Sequence, residues 1–117
     1  MHELSLLHGV VSAVENVAQE RGASSVESVG LRVGSLSGVV RESLEGAWPL
    51  ARAGTVCNDA RLEIEWIVAA VWCQGCQADR EIDEFYALTC PVCHAPTGQL
   101  TAGREFEVAY ADFPSTA

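Results

Sequence analysis

The stretch that decides the fold of this chain is Cys73-Gln74-Gly75-Cys76, followed after thirteen intervening residues by Cys90-Pro91-Val92-Cys93. Two C-x-x-C pairs at this separation place four thiolates on two tight turns, which can close a tetrahedron around one metal ion. Four cysteine ligands are typical of a structural zinc site, so we predict a zinc knuckle pair in residues 73–93. Residues 77–89 contain few apolar side chains, and we expect the metal to supply most of their order.

Two other interpretations fit the same four cysteines. They could form two disulfides, or they could hold iron in a site of the rubredoxin type, since a tetrahedron of thiolates suits both metals. Met1-His2-Glu3 opens directly into amphipathic sequence without a basic region or a long apolar run, which argues against a secretory signal. We therefore expect a cytoplasmic protein, and paired disulfides rarely persist in that compartment. Spacing alone leaves zinc and iron both open.

The composition is that of a small, acidic, folded protein. Apolar residues make up 49% of the 117 residues, as expected for about one domain. The 16 acidic and 7 basic side chains give a formal charge of −9, and such a surface repels the phosphates of nucleic acid. The longest apolar run, Trp66 to Cys73, is far shorter than the roughly 20 residues that span a membrane. We expect neither a nucleic-acid partner nor a membrane segment.

Two helices are predicted outside the cysteine segment. Apolar residues recur at spacings of three and four from Leu4 to Ala18, which is the pattern of a helix with one buried face. Gly22 can supply the left-handed residue after its end. A second helix is expected from about Arg41 to Ala53. Pro49 lies inside it, lacks an amide donor and crowds a preceding carbonyl, so we expect a kink or a break near residues 46–48.

Three strands are indicated by the alternation of apolar and polar residues. They cover about Val26 to Val33, Leu62 to Val68 and Arg104 to Ala111, and each has one apolar face. An apolar sheet face must be covered, and the two helices can cover it. The predicted fold class is therefore α+β, with a small three-stranded sheet covered by two helices and an inserted zinc-ribbon-like module of four cysteines.

The cysteine segment interrupts the chain between the second and the third predicted strand. We therefore expect residues 1–70 together with 101–113 to form one discontinuous α+β domain, and residues 71–100 to form the zinc-binding module. A sheet of only three strands can leave a surface for a second copy. The chain is accordingly expected to be a monomer or a weak homodimer.

The N-terminus offers a second candidate metal site. A bulky second residue such as His2 generally leaves Met1 in place, so His2 is expected to stay second. The α-amine, the amide nitrogen of His2 and its imidazole can form fused chelate rings, which the amide of Glu3 or another side chain can complete to a square. Square-planar nitrogen coordination favours Ni²⁺ or Cu²⁺ over zinc. Position alone makes this only a candidate, because histidine has many other roles.

Both motifs belong to a longer set of segments. The set comprises Met1-His2-Glu3-Leu4-Ser5-Leu6, Arg32-Val33-Gly34-Ser35-Leu36-Ser37-Gly38-Val39, Leu62-Glu63-Ile64-Glu65, Cys73-x-x-Cys76 and Cys90-Pro91-x-Cys93-His94. In this order and over essentially the whole chain, it resembles the HypA/HybF family of hydrogenase maturation factors. The resemblance implies a nickel metallochaperone that is not an enzyme. It also implies cooperation with the GTPase HypB to load nickel into the large subunit of NiFe hydrogenase and, in some members, service to urease.

The resemblance assigns roles to particular residues. His2 is implied as the essential nickel ligand, with backbone nitrogens of Met1 to Glu3 beside it and Glu3 supporting delivery. The implied ligands of a structural Zn²⁺ are Cys73, Cys76, Cys90 and Cys93. His94 either approaches the nickel or is a surface residue of the zinc turn.

Two positions depart from the family pattern. Val40 stands where many members carry an acidic residue that can assist nickel, and Glu42 is the nearest acid here. Pro49 inside the second helix is the other departure.

A protein-interaction adaptor built on a zinc ribbon is the alternative function. It predicts one zinc per chain, no nickel selectivity and normal hydrogenase maturation after His2→Ala. An enzyme is the least favoured class, because four thiolates leave zinc without an open position and no acid and base converge in the sequence.

Overall fold

The computed structural model describes residues 2–83 and 88–115. Its elements in chain order are α1 (His2–Glu20), β1 (Ser28–Gly34), α2 (Arg41–Arg52), β2 (Arg61–Ile67), β3 (Ala70–Cys73), β4 (Ala78–Glu81), β5 (Leu100–Ala102) and β6 (Phe106–Asp112). The strands form two sheets, with the orders β2-β1-β6 and β4-β3-β5. The predicted α+β class with a module of four cysteines is confirmed. Among these residues, no helix is both long and apolar enough to traverse a bilayer.

β1 is the central strand of the first sheet, and β6 runs antiparallel to it. Glu27 N–H donates to Asp112 O at 2.7 Å, and Gly34 N–H donates to Glu105 O at 2.8 Å. Bonds that join opposite ends of the two strands in this way define antiparallel pairing. β2 pairs with the other side of β1 and is reached through α2.

The alternation in β1 predicts a half-buried strand, but both of its faces are covered. Ser28 is fully buried, and its hydroxyl donates to Asp112 Oδ2 at 2.8 Å. A Cβ at Gly30 would overlap the ring of Tyr110. The Tyr110 hydroxyl donates to the carboxylate of Glu63, and this bond is the first cause of the raised pKa of Tyr110. Tyr110 therefore lies across the strand, and 43% of it stays exposed.

The helices α1 and α2 pack against each other and bury the predicted apolar stripes. In α1 the buried residues are Leu7, Val10, Val11, Val14 and Ala18. Gly22 follows the helix with a φ of 66°, the left-handed conformation that a helix end commonly requires.

Pro49 lies inside α2, and the helix continues through it from Arg41 to Arg52. Of the kink or break expected near residues 46–48, the break is therefore wrong. Leu44, Trp48 and Ala51 are buried, and the Trp48 indole N–H donates to Ala60 O at 2.8 Å. Burial of this face offsets the one backbone hydrogen bond that proline removes.

The chain divides into two compact units. Unit 1 comprises Met1–Leu31, Val39–Ile64 and Val108–Ala117, and unit 2 comprises Arg32–Gly38 and Glu65–Glu107. Unit 1 contains α1 and α2, and unit 2 contains the four paired cysteines. The domain boundaries drawn from the sequence, after residues 70 and 100, stay a prediction.

Unit 2 has a small sheet that the alternation pattern did not indicate. β3 lies in the middle and pairs antiparallel with β4 and with β5. These strands are only three or four residues long, and β4 reads Ala-Asp-Arg-Glu, without apolar alternation. The sheet is accompanied by a core of three buried residues and two partly buried ones, namely Ala69, Val71, Ile82, Leu36 and Leu100. Residues 78–82 are thus ordered by strand pairing and by the burial of Ile82 as well as by any bound metal, while residues 84–87 lie outside the described residues.

The turn after β1 is held within unit 2. Ala69 N–H donates to the Ser35 hydroxyl at 2.8 Å, and Leu36 N–H donates to Gly103 O at 2.7 Å. The Leu36 side chain packs on the core of the unit. Residues 32–38, which precede α2 in the chain, therefore belong to the same unit as residues 65–107, which follow α2.

Candidate metal centre

The four predicted cysteine ligands meet in unit 2. Cys73 is the last residue of β3, and Cys76 lies in the turn that leads to β4. Cys90 and Cys93 lie in a second turn, which a bridge between Thr89 and Pro96 closes. The four Sγ atoms all lie within 4.8 Å of one another. The structure therefore brings the two C-x-x-C pairs into one cluster.

The spacing of the sulfurs fits a tetrahedral metal ion. Bonds of about 2.3 Å to zinc place any two sulfurs of a tetrahedron about 3.8 Å apart. Cys73 Sγ lies 3.5 Å from Cys93 Sγ, and Cys76 Sγ lies 3.9 Å from Cys90 Sγ. A disulfide requires about 2 Å, and all five cysteines are free thiols. The disulfide alternative is therefore wrong, and the donor set suits zinc or iron.

Backbone amides point at the cysteine sulfurs. Cys76 N–H donates to Cys73 Sγ at 3.4 Å, while Val92 N–H and Cys93 N–H donate to Cys90 Sγ at 3.4 and 3.5 Å. The Cys93 amide is the main reason that the pKa of Cys90 is lowered to about 6, and the Val92 amide adds to it. Because a thiolate and not a thiol binds metal, these amides prepare Cys90 as a ligand at neutral pH.

His94 occupies a position equivalent to that of Gln77. Each follows the second cysteine of its pair and has a positive φ, 53° at Gln77 and 64° at His94. His94 N–H donates to Cys90 O at 2.8 Å, which closes the turn. The His94 side chain is exposed and does not belong to the group of four sulfurs. Its backbone therefore has a structural role in the turn.

Arg80 was not identified as a site residue from the sequence. The pKa of Arg80 is raised, first by interaction with the sulfur of Cys76 and to a smaller extent by that of Cys90. The available signal was a cation four residues beyond Cys76, in a chain with only 7 basic residues. Spacing alone does not show which way such a side chain points.

The residues of the predicted nickel site lie in unit 1, whereas the cysteines lie in unit 2. His2 is exposed and is the first residue of α1. The carboxylate of Glu3 accepts a hydrogen bond from Val40 N–H at 3.4 Å. The pKa of Glu3 is lowered, first by its own backbone N–H and then by that of Val40. Met1, whose α-amine was also predicted as a ligand, lies outside the described residues.

Comparison with known protein families gives a match over most of the chain. The HypA family, described as "Hydrogenase/urease nickel incorporation, metallochaperone", matches residues 1–113. A hydrogenase maturation factor HypA from Chloroflexus aurantiacus is 36% identical over 114 residues, which cover 97% of this chain and 100% of that protein. The HypA of Roseiflexus sp. strain RS-1 is 38% identical over 113 residues, which cover 97% of this chain and 92% of that protein.

Two solved structures share the fold. The solution structure of the Ni metallochaperone HypA from Helicobacter pylori has a TM-score of 0.65 and 21% identity, and covers 95% of this chain and 96% of that chain. A second solution structure of a HypA protein has a TM-score of 0.68 and 24% identity, with 97% of both chains covered. At these identities the likeness concerns the fold alone.

Proposed function

Because this chain belongs to the HypA family of metallochaperones for nickel incorporation into hydrogenase and urease, we propose that it binds Ni²⁺ at its own N-terminus. We further propose that it delivers this nickel, with the GTPase HypB, to the large subunit of NiFe hydrogenase. The family is one of maturation factors and not of enzymes. In this proposal Ni²⁺ is the cargo, and the chain holds it only until transfer.

The observation that carries the nickel site is the exposure of His2 at the start of α1. The first four N–H groups of a helix have no partner within the helix. The amide nitrogens of His2 and Glu3 are therefore not committed to helical hydrogen bonds. With the imidazole of His2 and the amine of Met1, they would supply the square of nitrogen donors that Ni²⁺ favours.

Glu3 is proposed to support delivery by holding the nickel-binding segment in place. Its carboxylate bonds to Val40 N–H at 3.4 Å, which ties the first turn of α1 to the start of α2. Val40 offers no carboxylate of its own, and Glu42 is exposed in the first turn of α2. The contribution of Glu3 to nickel binding is then its backbone nitrogen and the position of that segment.

Cys73, Cys76, Cys90 and Cys93 are proposed to hold a structural Zn²⁺. An ion bound by four thiolates has no open position, so it would stabilise the fold of unit 2 and take no part in a reaction. His94 is a candidate for a later contact with the nickel, because its side chain is exposed beside the cluster. Titration of His94→Ala with Ni²⁺ tests this role, because a loss of nickel binding would identify His94 as a ligand.

The proposed partners are HypB, the hydrogenase large subunit and, where urease is made, its maturation proteins. The family description names both hydrogenase and urease. The formal charge of −9 argues against nucleic acid as a partner. We propose a monomer or a weak homodimer that works in the cytoplasm, where its free thiols would stay reduced.

The test is a titration of Ni²⁺ into the zinc-loaded chain with an unmodified N-terminus. His2→Ala is compared with His8→Ala, a matched control because His8 is also an exposed histidine on α1. We expect about one nickel per chain for the wild type and for His8→Ala. His2→Ala should lose the nickel and keep its zinc.

Equal nickel binding by all three proteins would show that His2 is not a ligand. The zinc-ribbon adaptor would then be the better function. Loss of nickel in both histidine variants would instead mean that His8 is also needed for nickel binding.

A further inference from the structure

The register of the small sheet places Arg80 on the same face as the metal cluster. Arg80 lies opposite Val71, and Ala78 lies opposite Cys73. Directly paired residues, and residues two apart on one strand, share a face of the sheet. Val71 and Cys73 are 0% and 1% exposed, so this face is the buried one. The side chain of Arg80 therefore extends toward the cysteines.

The register directs the Arg80 side chain toward the sulfur cluster of unit 2. Interaction with the sulfur of Cys76 is the first cause of its raised pKa, and the sulfur of Cys90 adds to it. Its Nε is buried and has no hydrogen-bond partner among the described residues. A buried donor of this kind is costly unless negative charge compensates it. Four thiolates around one Zn²⁺ carry a net charge of −2, which would provide that compensation.

We propose that Arg80 is a positioning residue of the metal centre, which neutralises part of the charge of the loaded cluster and slows the loss of its ion. The positive guanidinium on the buried face beside the cluster would offset part of the negative charge that four thiolates leave on a bound Zn²⁺, and such outer partners raise the affinity of a site for its metal. Unit 2 thereby keeps its structural metal. The inference rests on the zinc site of the proposed function and is independent of nickel.

The planar shape of arginine matters for this role. A guanidinium has five donors in a rigid fork and can serve two sulfurs at once. A lysine retains the charge but is a single point donor on a flexible stem. Lysine at position 80 should therefore restore part of the effect and glutamine none of it.

The experiment compares Arg80→Gln and Arg80→Lys with the wild type in the full-length chain. Arg104→Gln is the matched control, because Arg104 is an exposed arginine of the same unit and its loss changes the net charge equally. Two quantities are measured. One is the rate at which bound Zn²⁺ passes to an excess of a chelator, and the other is the absorption spectrum of the Co²⁺-loaded chain.

Zinc release should be about 10-fold faster in Arg80→Gln, the lower end of the effect usual for outer partners of metal ligands. The sulfur-to-cobalt charge-transfer band should move to longer wavelength, because the thiolates lose a donor that stabilises their lone pairs. Arg80→Lys should fall between Arg80→Gln and the wild type in both measurements. Arg104→Gln should match the wild type.

Three results would overturn the inference. If Arg80→Gln releases zinc at the wild-type rate and its cobalt charge-transfer band does not move, the zinc site exists but Arg80 does not contribute to it. Faster release without a band shift would mean that Arg80 supports only the fold. A wild-type chain that holds no metal at its cysteines would remove the zinc site as well.

Discussion

The ring of Tyr110 rests on Gly30 and leaves no space for a side chain at the middle of β1. The same ring reaches on to β2, where its hydroxyl donates to Glu63. Three strands are therefore spanned by one residue, and glycine at position 30 is required by packing. Any side chain at position 30 would have to displace the ring of Tyr110.

Gly30→Ala is expected to destabilise the protein by roughly 1–3 kcal/mol, as overpacking usually does. In a Tyr110→Ala background the same change should be close to neutral, because the ring that it meets is gone. Urea unfolding of the four proteins in a double-mutant cycle measures this coupling.

Gly46 is the matched control for this experiment. It lies inside α2, and a Cβ there would meet nothing within 4 Å. Gly46→Ala should stabilise the protein by about 0.5–1 kcal/mol, since alanine is the better helix former. A cost for Gly30→Ala that persists without the Tyr110 ring would disprove the packing explanation.

Residues that act through local spacing were predictable, and residues that act through tertiary contacts were not. The cysteines were found because each pair forms its turn within four residues of chain. The contact of Glu3 with Val40 joins two helices, and that of Arg80 with the cysteines depends on the register of β3 and β4. Neither has a periodic signal in the sequence.

At the level of elements, the start of α2 lacks a capping side chain of its own. Val40 is the N-cap, with φ −96° and ψ 122°, and makes no side-chain cap bond. Glu3 instead accepts the Val40 N–H from the neighbouring helix. In a capping box a glutamate of the same helix takes this N–H. The start of α2 thus depends on α1.

Val40→Ser is expected to stabilise the protein by about 1 kcal/mol. A serine oxygen can accept a free N–H of the first turn, and Val40 is 52% exposed, so little apolar burial is lost. Thermal unfolding at a fixed zinc content measures the change.

Val92→Ser is the matched control, because Val92 is also an exposed valine, 60% accessible, but does not begin a helix. It should leave the midpoint of unfolding unchanged. An equal rise in both variants would mean that replacing any exposed valine by serine stabilises the protein, and capping would not be the cause.

Long periodic elements were predicted and short or unusual ones were not. α1 has a repeated stripe over 19 residues, which fixes it from sequence. Pro49 argued for a break in α2, yet the burial of Trp48 keeps the helix whole. β3 to β5 are too short to show a period, and they form because their backbones pair.

At the level of the whole molecule, the two units have different sources of stability. Unit 1 buries long aliphatic and aromatic side chains from both helices and from β1. Among its described residues, unit 2 buries a small apolar cluster of Ala69, Val71 and Ile82 beside its cysteines, and Val33 of β1 is buried as well. A core of that size supplies little free energy, so metal binding should contribute most of what unit 2 needs.

Cys76→Ser, or removal of zinc by a chelator, is therefore expected to unfold residues 73–93 and to leave α1 and α2 formed. Circular dichroism should keep its helical signal, while amide hydrogen exchange should become fast in unit 2 alone. This outcome would also support the predicted division into a helical domain and a zinc module.

Cys57→Ser is the control, since Cys57 is a buried free thiol of unit 1 whose pKa is raised by burial. It should cost stability without changing the zinc content. Loss of all helical signal in Cys76→Ser would contradict the two-unit description.

Nickel affinity should depend on pH. Ligands must lose protons to bind a metal, and protons therefore compete with nickel for an imidazole ligand. Affinity should fall as the pH is lowered, which calorimetric titrations at several pH values can measure. An affinity that stays constant between about pH 5 and 8 would argue against any histidine ligand.

The turn at Ser35 and Leu36 limits how the cysteine unit can be exchanged between genes during evolution. Unit 2 is assembled from Arg32–Gly38 and Glu65–Glu107, with α2 encoded between them. A gene rearrangement that moved only the second stretch would leave the Ala69 N–H without its acceptor and the small core without Leu36. We therefore expect residues 65–107 to be less stable when they are transferred to another protein by themselves. A transfer that keeps both stretches of unit 2 also carries the helix encoded between them.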